Sequence, residues 1–435
     1  MSNELMEAIC ASSNLNSAFK QVKRNKGAAG IDRLTIEATE HWLRSHNNAR
    51  EFRQQLLDGH YHPQAIRGVK IPKADGSERQ LGIPTVLDRW IQQAIAQVLM
   101  PIYEPHFSNF SYGFRPKRSA HDALKQASAY VKSGKVYVVD VDLEKYFDSV
   151  NHDRLMSRLS KEINDKRVLK LIRQYVTADL LQNGMVEQRQ KGTPQGGPLS
   201  PLLSNIVLDE LDKELERRGH TFCRYADDCN IYVSSPAAAE RVMASVKGFI
   251  ESKLKLKVND LKSASALVSE RQFLGYRIHK SGDLVLSPKT LLRMKRRVRG
   301  LTYRNRGRSF EQILKELNQY LRGWLHYFRL ARLTTKLQSL DEWIRRRLRC
   351  YRLKQRKRSY SIASWIISLG VKAHLAWKLA SSSKGWWRLS RNPVINQAMS
   401  NAWFKEQGLY GLRENYELLT LPPEPPYATN ACTVV

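Results

Sequence analysis

Thr221-Phe-Cys-Arg-Tyr-Ala-Asp-Asp-Cys-Asn-Ile-Tyr-Val233 is the stretch that decides the fold of this 435-residue chain. Apolar and β-branched residues stand on both sides of Asp227 and Asp228, and paired aspartates suit a tight turn, so the pattern predicts a β-hairpin. Two adjacent carboxylates at a hairpin tip can hold divalent metal. The alternative is a solvated Asp-Asp turn, which the isolated tetrapeptide Tyr225-Ala-Asp-Asp favours. The remainder of the chain decides between them.

A second acidic segment offers the further carboxylate that a two-metal site needs. It is Val139-Asp-Val-Asp-Leu-Glu-Lys-Tyr-Phe-Asp148, which begins as an apolar strand. Asp140 and Asp142 are two residues apart and therefore share one face of that strand. Two acids in such a place are costly unless they are paired or bound to metal. The alternative is a strand at a surface edge, which the apolar flank disfavours.

The charge of the chain indicates a polyanionic partner. It has 72 Lys and Arg against 41 Asp and Glu, for a net charge of +31. Neutralising phosphates with such a surface releases counterions and favours nucleic-acid binding over a membrane surface. Between Pro288 and Tyr360 there are 23 Lys and Arg against 4 Asp and Glu, interleaved with Trp and Tyr. This pattern favours helices that follow a nucleic-acid backbone over a merely solvated basic face.

Cysteine usage and the N-terminal residues exclude several other classes. The five cysteines are scattered and form no Cys-x-x-Cys pair, so we expect neither a disulfide framework nor a zinc site. The first residues have no basic and apolar signal-peptide pattern. No uncharged apolar run approaches the length of a membrane span. We therefore expect a cytoplasmic protein with no membrane partner.

Apolar periodicity and turn residues predict alternating helices and short strands. The expected strands are a hairpin over 65–85, a strand over 136–143, the hairpin at Tyr225 and two short strands near 264–287. The expected helices lie within 1–60 and 153–180 and over 86–99, 204–218, 237–254, 310–328, 333–353 and from 362 onward.

Six motifs in chain order resemble the catalytic core of reverse transcriptases, and are most similar to those encoded by bacterial group II introns. They are Ile71-Pro-Lys-Ala-Asp-Gly-Ser-Glu-Arg-Gln-Leu-Gly-Ile-Pro84, Ser111-Tyr-Gly-Phe-Arg-Pro-Lys-Arg-Ser-Ala-His121, Asp142 with Phe147-Asp148, Gly192-Thr-Pro-Gln-Gly-Gly-Pro-Leu-Ser-Pro201, Tyr225-Ala-Asp-Asp, and Phe273-Leu-Gly-Tyr276. The resemblance implies an α+β right-hand polymerase, with fingers and palm of helices and antiparallel sheet and a helical thumb.

The resemblance also implies a domain order. Fingers and palm would occupy 1–287, with an N-terminal extension over about 1–60, and a thumb or maturase domain would occupy 288–378. A DNA-binding region would occupy 379–435, where Lys384-Gly-Trp-Trp387 through Gly408 carries the likeness. The family commonly adds an endonuclease with Cys pairs, which this sequence lacks, and it is in this respect most similar to the class C bacterial group.

Metal ligands follow from the resemblance residue by residue. Asp142, Leu143, Asp227 and Asp228 would hold two Mg²⁺ ions, with Mn²⁺ as a substitute. Asp142 is preferred to Asp140 because the family's metal aspartate lies five residues before the Phe of Phe-Asp. Asp140 is then expected to lie behind the ligands.

Nucleotide contacts are implied for five further residues: Lys73, Arg79, Phe147, Gln195 and Lys262. Cations such as Lys73 and Arg79 stabilise a transferring phosphoryl group, and the alternative for each is an exposed charge at a strand end. Phe147 would exclude a ribose 2′-hydroxyl, with Tyr146 as the rival for that role. Lys262 would protonate the leaving pyrophosphate, and the alternative is an ordinary surface lysine.

RNA contacts are expected at Arg115, Arg322, His326 and Arg329. The last three lie in Leu317-Asn-Gln-Tyr-Leu-Arg-Gly-Trp-Leu-His-Tyr-Phe328 or directly after it. In that segment Leu321, Trp324 and Leu325 share one helical face and are expected to be core.

The implied activity is an RNA-directed DNA polymerase that adds dNTPs to a primer and also binds its parent intron RNA to assist splicing and retrohoming. Its partners would be an RNA template with a DNA primer, dNTPs, the intron RNA and target DNA, in a bacterial cytoplasm. Two alternatives remain open: a reverse transcriptase recruited to host defence or repair, and a maturase that only assists splicing.

Overall fold

The chain divides into two compact units, Met1–Arg271 and Gln272–Val435. The computed structural model describes residues 4–45, 47–72, 76, 78–182, 185–187, 191–193 and 196–420. Across this described part, no helix combines the length and the apolar composition needed to cross a lipid bilayer. The four cysteines in it are buried thiols that form no disulfide. The division into fingers with palm, thumb and DNA-binding region stays a prediction.

The first unit is mostly helical. Its described helices are α1 (Leu5–Ile9), α2 (Ser12–Asn25), α3 (Ile36–Arg44), α4 (Asn48–Leu57), α5 (Val86–Tyr103), α6 (Ala120–Lys132), α7 (Tyr146–Ser149), α8 (His152–Glu162), α9 (Lys166–Thr177), α10 (Ser200–Arg217) and α11 (Pro236–Phe249). Side chains cap several of them: Thr85 accepts the backbone N–H of Asp88, and Ser119 forms a reciprocal capping box with Asp122. These caps mark the first residues of α5 and α6, where the sequence changes from loop residues to the apolar periodicity of a helix.

Two four-stranded sheets complete this unit. The first has the order β2-β1-β4-β5, from β1 (Ile66–Pro72), β2 (Glu78–Ile83), β4 (Leu180–Gln182) and β5 (Met185–Glu187). The second has the order β6-β7-β3-β8, from β3 (Tyr137–Val141), β6 (Thr221–Tyr225), β7 (Asp228–Val233) and β8 (Ala264–Leu267), and all of its pairs are antiparallel. One apolar core lies between this second sheet and helices such as α5 and α10.

The second unit begins with a two-stranded antiparallel ribbon, β9 (Tyr276–Ile278) with β10 (Leu284–Leu286). Its helices are α12 (Pro288–Leu301), α13 (Phe310–Phe328), α14 (Thr334–Arg356), α15 (Ser359–Ser368), α16 (Ala373–Ala380), α17 (Trp386–Leu389), α18 (Pro393–Ala398), α19 (Asn401–Glu406) and α20 (Leu412–Thr420). The apolar period of α13 buries Leu321, Trp324 and Leu325, which confirms that predicted core face.

The expected α+β class is confirmed, and most elements lie where the sequence predicts them. Two details differ. The segment 264–287 contains three short strands where two are expected, β8 in the first unit and β9 with β10 in the second. The three-residue strands β4 and β5 are not predicted, because segments this short leave no readable alternation.

Candidate active site

The Asp-Asp turn is the tip of the β6–β7 hairpin. Tyr225 and Asp228 pair across the ladder, so Ala226 and Asp227 are the two turn residues. Ala226 has a φ of +58°, in the left-handed region that non-glycine residues adopt only when their surroundings hold them there. Asp227 is therefore at the apex, and Asp228 is the first residue of β7. The predicted hairpin is confirmed.

Asp142 lies at the neighbouring strand end. β3 pairs with β7 so that Val141 faces Cys229, and continuing this register by one residue sets Asp142 opposite Asp228. The backbone there is fixed on its other side, because the Asp142 N–H donates to Ser263 Oγ at 3.0 Å and its carbonyl accepts from the N–H of Asn259 at 2.8 Å. The sheet thus brings the two acidic segments of the sequence together.

The electrostatics of this carboxylate group are visible at Asp228. The Asp228 residue is exposed to solvent. The protein atoms packed around its carboxyl group nevertheless raise the pKa of that group to about 7. The charges of Asp227, Asp140 and Asp142 add to that rise. In the described residues, no three His, Cys, Asp or Glu side chains are spaced as a preformed metal-ligand set. The group is nevertheless a local concentration of negative charge.

Asp140 has a cationic partner, Arg271. Arg271 donates to its Oδ2 through Nε at 2.9 Å and Nη2 at 2.6 Å. Burial raises the pKa of Asp140, and Arg271 partly offsets the rise. The sequence analysis missed Arg271, and the choice of Asp142 over Asp140 as a metal ligand stays a prediction.

A cavity of about 580 Å³ opens in front of the carboxylates. Asp142, Leu143 and Asp227 line it, together with Phe147 and Lys262. Its other wall comes from the β1–β2 hairpin, where Lys70 and Glu78 form an ion pair of 3.0 Å. The exposed Lys262 side chain is close enough to the acids for its charge to lower the pKa of Asp228.

Three of the expected nucleotide contacts are beyond what the structure describes. Lys73 and Gln195 lie outside the described residues, and for Arg79 only the backbone pairing with Ile71 in the β1–β2 ladder is described. Their roles stay predictions. Gly192, at the start of the Gln195 motif, packs against the backbone of Phe147 and Asp148.

Phe147 and its rival Tyr146 differ in their burial. Tyr146 is only 2% exposed, and its hydroxyl donates to the carbonyl of Ser204 at 2.9 Å, so it belongs to the core. Phe147 is half-buried and lines the cavity, with its ring edge-on to Tyr146 at 5.3 Å between centroids. The backbone N–H of Thr193 donates to the Phe147 carbonyl at 2.6 Å and helps to fix it. Both residues line the cavity, but Phe147 is the more exposed of the two and stays the candidate for contact with a ligand there.

Arg115 is a correction to the expected RNA contacts. Its side chain is 3% exposed and pairs with Glu104 at 2.9 Å. Its Nη1 also donates to the carbonyls of Ser108 and Ser111. The guanidinium therefore holds the loop after α5, and it is not available to RNA in this arrangement. Basic character alone could not distinguish this buried role from a surface one.

The other three residues that are expected to contact RNA lie near one another in the chain. Arg322 and His326 are exposed on α13, and Arg329 is half-exposed at its C-terminal end. Their spacing of four and three residues sets them on one face, next to the face of the buried Leu321 and Leu325. Arg322 also lies over the ring of Tyr410, 5.3 Å from its centroid. RNA binding by this face stays a prediction.

A buried charged pair beneath the turn is absent from the sequence analysis. Arg224, on β6, and Asp212, on α10, are both fully buried and form an ion pair of 2.5 Å. The only sequence sign is an arginine inside an otherwise apolar strand, Phe222-Cys-Arg-Tyr225. A buried arginine needs a carboxylate partner, and the acids of α10 were the available candidates.

Comparisons with known proteins agree with this geometry. Residues 71–278 match the reverse transcriptase (RNA-dependent DNA polymerase) family, and residues 291–368 match the group II intron maturase-specific domain. The chain is 35% identical to protein YkfC of Escherichia coli (strain K12), over 52% of this chain and 70% of that protein. It is 31% identical to the group II intron-encoded protein LtrA of Lactococcus lactis subsp. cremoris, over 62% of this chain and 56% of LtrA.

Among solved structures, an apo telomerase from Candida tropicalis is similar at 14% identity and a TM-score of 0.40, over 52% of this chain and 55% of that one. The chain thus spans most of YkfC and little more than half of LtrA.

Proposed function

The chain belongs to the reverse transcriptase family, in its group II intron maturase branch, and from this premise we propose that it copies an RNA template into DNA from a primer and binds intron RNA to assist splicing. One observation carries the polymerase part. The sheet register sets Asp142 beside Asp227 and Asp228, and Asp142 and Asp227 line one cavity. Retrohoming into target DNA, in a bacterial cytosol, completes the proposal.

We expect this carboxylate group to hold two Mg²⁺ ions. Burial and the charges of the neighbouring aspartates raise the pKa of Asp228, and a divalent cation beside it would favour the ionised carboxylate. Asp142, Asp227 and Asp228 would hold the ions, with the carbonyl of Leu143 beside them, and Mn²⁺ could substitute. When bound, such ions lower the pKa of an attacking hydroxyl and stabilise charge on the phosphoryl group.

The chain's own side chains would orient the nucleotide. The half-exposed ring of Phe147 would exclude a 2′-hydroxyl from the cavity by contact. Lys262 would bring a proton and a positive charge to the leaving pyrophosphate, which its proximity to Asp228 supports. Lys73, Arg79 and Gln195 would bind the triphosphate, a role that rests on the family resemblance.

The maturase part rests on the match of residues 291–368 and on the charge of the segment. Phosphate contacts from exposed cations would give it salt-dependent affinity for RNA. The exposed face of α13, with Arg322, His326 and Arg329, is our candidate contact surface.

A primer-extension assay tests the proposal. The purified protein should extend a DNA primer on an RNA template with dNTPs and Mg²⁺, and should stop when EDTA is added. In a parallel reaction, it should accelerate self-splicing of an intron RNA taken from beside its reading frame. Extension without any effect on splicing would refute the maturase part, and splicing without extension would refute the polymerase part.

A further inference from the structure

The buried pair Arg224–Asp212 is hydrogen-bonded to the proposed metal-binding turn. Two donors of Arg224 are used by Asp212, with Nε at 2.7 Å from Oδ1 and Nη2 at 2.5 Å from Oδ2. The third, Nη1, donates to the carbonyl of Ala226 at 2.8 Å and to Oδ1 of Asn205 at 3.0 Å. The guanidinium therefore links the scaffold helix α10 to the turn residue itself.

A neighbouring segment braces the same turn. Asn205 extends the hydrogen-bond network to this segment, because its Nδ2 donates to the carbonyl of Gly113 at 2.9 Å. The backbone of Arg224 also bonds this segment: its N–H donates to Phe110 and its carbonyl accepts from Tyr112, both at 2.9 Å. The turn is thus held between α10 on one side and residues 110–113 on the other.

Stability alone does not account for a charged pair in this place. Replacing a buried ion pair with apolar side chains of similar volume is often neutral or stabilising. What an apolar pair cannot supply is a donor to the carbonyl of Ala226. Lysine cannot supply it either while it bonds Asp212, because it lacks the planar fork of arginine. Ala226 needs such a constraint, since its φ of +58° is unfavourable for a residue with a side chain.

We propose that Arg224 is a positioning residue that, with Asp212, fixes the left-handed conformation of Ala226 and so sets the spacing of the metal-binding carboxylates. The role rests on the proposed polymerase function, because it assigns a purpose to that site's geometry. It acts through the turn and does not require contact with substrate.

The deciding variant is the double substitution Arg224→Met with Asp212→Leu, which removes both charges together. Its control is Arg154→Met with Glu210→Leu, which removes a half-buried pair between α8 and the same helix α10, together with the Glu210 partner of Arg158. Three quantities are measured in each protein: the melting temperature, the Mn²⁺ dissociation constant by electron paramagnetic resonance, and the single-turnover rate of primer extension.

We expect the double variant to melt within a few degrees of wild type. Its Mn²⁺ affinity should fall at least fivefold and its extension rate at least thirtyfold, with the half-saturating dNTP concentration within twofold of wild type. The control pair should keep Mn²⁺ affinity and rate within twofold. Wild-type values for both in the Arg224/Asp212 double variant would overturn the proposal.

Arg224→Lys is the second arm, for the case in which the double variant does not fold. It keeps a buried charge beside Asp212 but loses the donor to Ala226, so it should show the same two losses, and wild-type values would again overturn the proposal. Mn²⁺ binding also separates the two levels of inference. A wild-type protein that binds Mn²⁺ but extends no primer would refute the polymerase, while loss of that binding in the variants would still support the positioning role.

Discussion

Gly113→Ala should damage catalysis far more than it damages folding. A Cβ at residue 113 would lie 2.3 Å from the backbone N of Ala226 and 3.0 Å from the backbone C of Tyr225. Ordinary contact begins at 3.4 Å, so a gap of 1.1 Å must open. Both obstructing atoms are backbone atoms of the Asp-Asp turn, so no flexible side chain can move aside. The turn must shift, and its carboxylates with it.

The size of the effect follows from that displacement. A misplacement of about 1 Å in a reacting group can cost roughly a hundredfold in rate, which is about 2.7 kcal/mol in activation free energy. Overpacking of this kind costs about 1–3 kcal/mol in the free energy of unfolding. For a unit of this size each kcal/mol lowers the melting temperature by roughly 2–4 °C. A folded protein with a strongly reduced rate is therefore the expected outcome.

The assay is single-turnover primer extension at saturating dNTP and Mg²⁺, with thermal melting measured on the same preparation. Gly248→Ala is the matched control, because Gly248 is exposed in α11 and a Cβ there meets nothing within 4 Å. That change should leave the rate unaltered and stabilise the helix by up to about 1 kcal/mol. A wild-type rate for Gly113→Ala would refute the argument that this contact sets the position of the turn.

Three further outcomes are expected. Phe147→Ala should raise ribonucleotide incorporation roughly ten- to two-hundredfold relative to dNTPs, the range for removing one apolar contact, and steady discrimination in a competition assay would place the sugar filter elsewhere. Arg115→Ala should lower the free energy of unfolding by about 3 kcal/mol in urea titration, because it leaves the Glu104 partner unpaired, while RNA affinity stays unchanged; weaker RNA binding by a fully folded variant would contradict its buried role. Leu321→Ala should lower the free energy of unfolding by about 2–5 kcal/mol. Arg322→Ala should change that free energy by no more than about 0.5 kcal/mol, and should instead reduce the salt dependence of RNA binding by about one phosphate contact. Equal RNA affinity for wild type and Arg322→Ala would exclude this arginine from the interface.

Local pattern was enough to predict the hairpin of the turn and the burial of one face of α13. The alternation of apolar residues in a strand and their periodicity in a helix depend only on residues near one another in the chain. A single sequence is therefore enough to detect them. The strand alternation also brought Asp142 into the candidate site, although β3 ends one residue before it. The three-residue strands were missed because such short segments have no period.

Long-range partners could not be predicted in the same way. Arg115 and Arg322 look alike in the sequence, yet one is buried against Glu104 and the other is exposed. The network beneath the turn links Asn205 to Gly113, which is 92 residues away in the chain. Burial and partnership of this kind depend on the packed structure, and charge patterning gives no indication of them.

Asp227→Ala is the most direct test of the central claim, that the Asp-Asp turn is the metal-binding tip of a polymerase. The measurement compares cDNA synthesis and RNA affinity for wild type and variant on one primed RNA template with Mg²⁺. We predict that the variant makes no detectable cDNA and binds the RNA with wild-type affinity, because Asp227 is a turn residue at the cavity. Continued synthesis by the variant, or loss of RNA binding together with synthesis, would contradict the account.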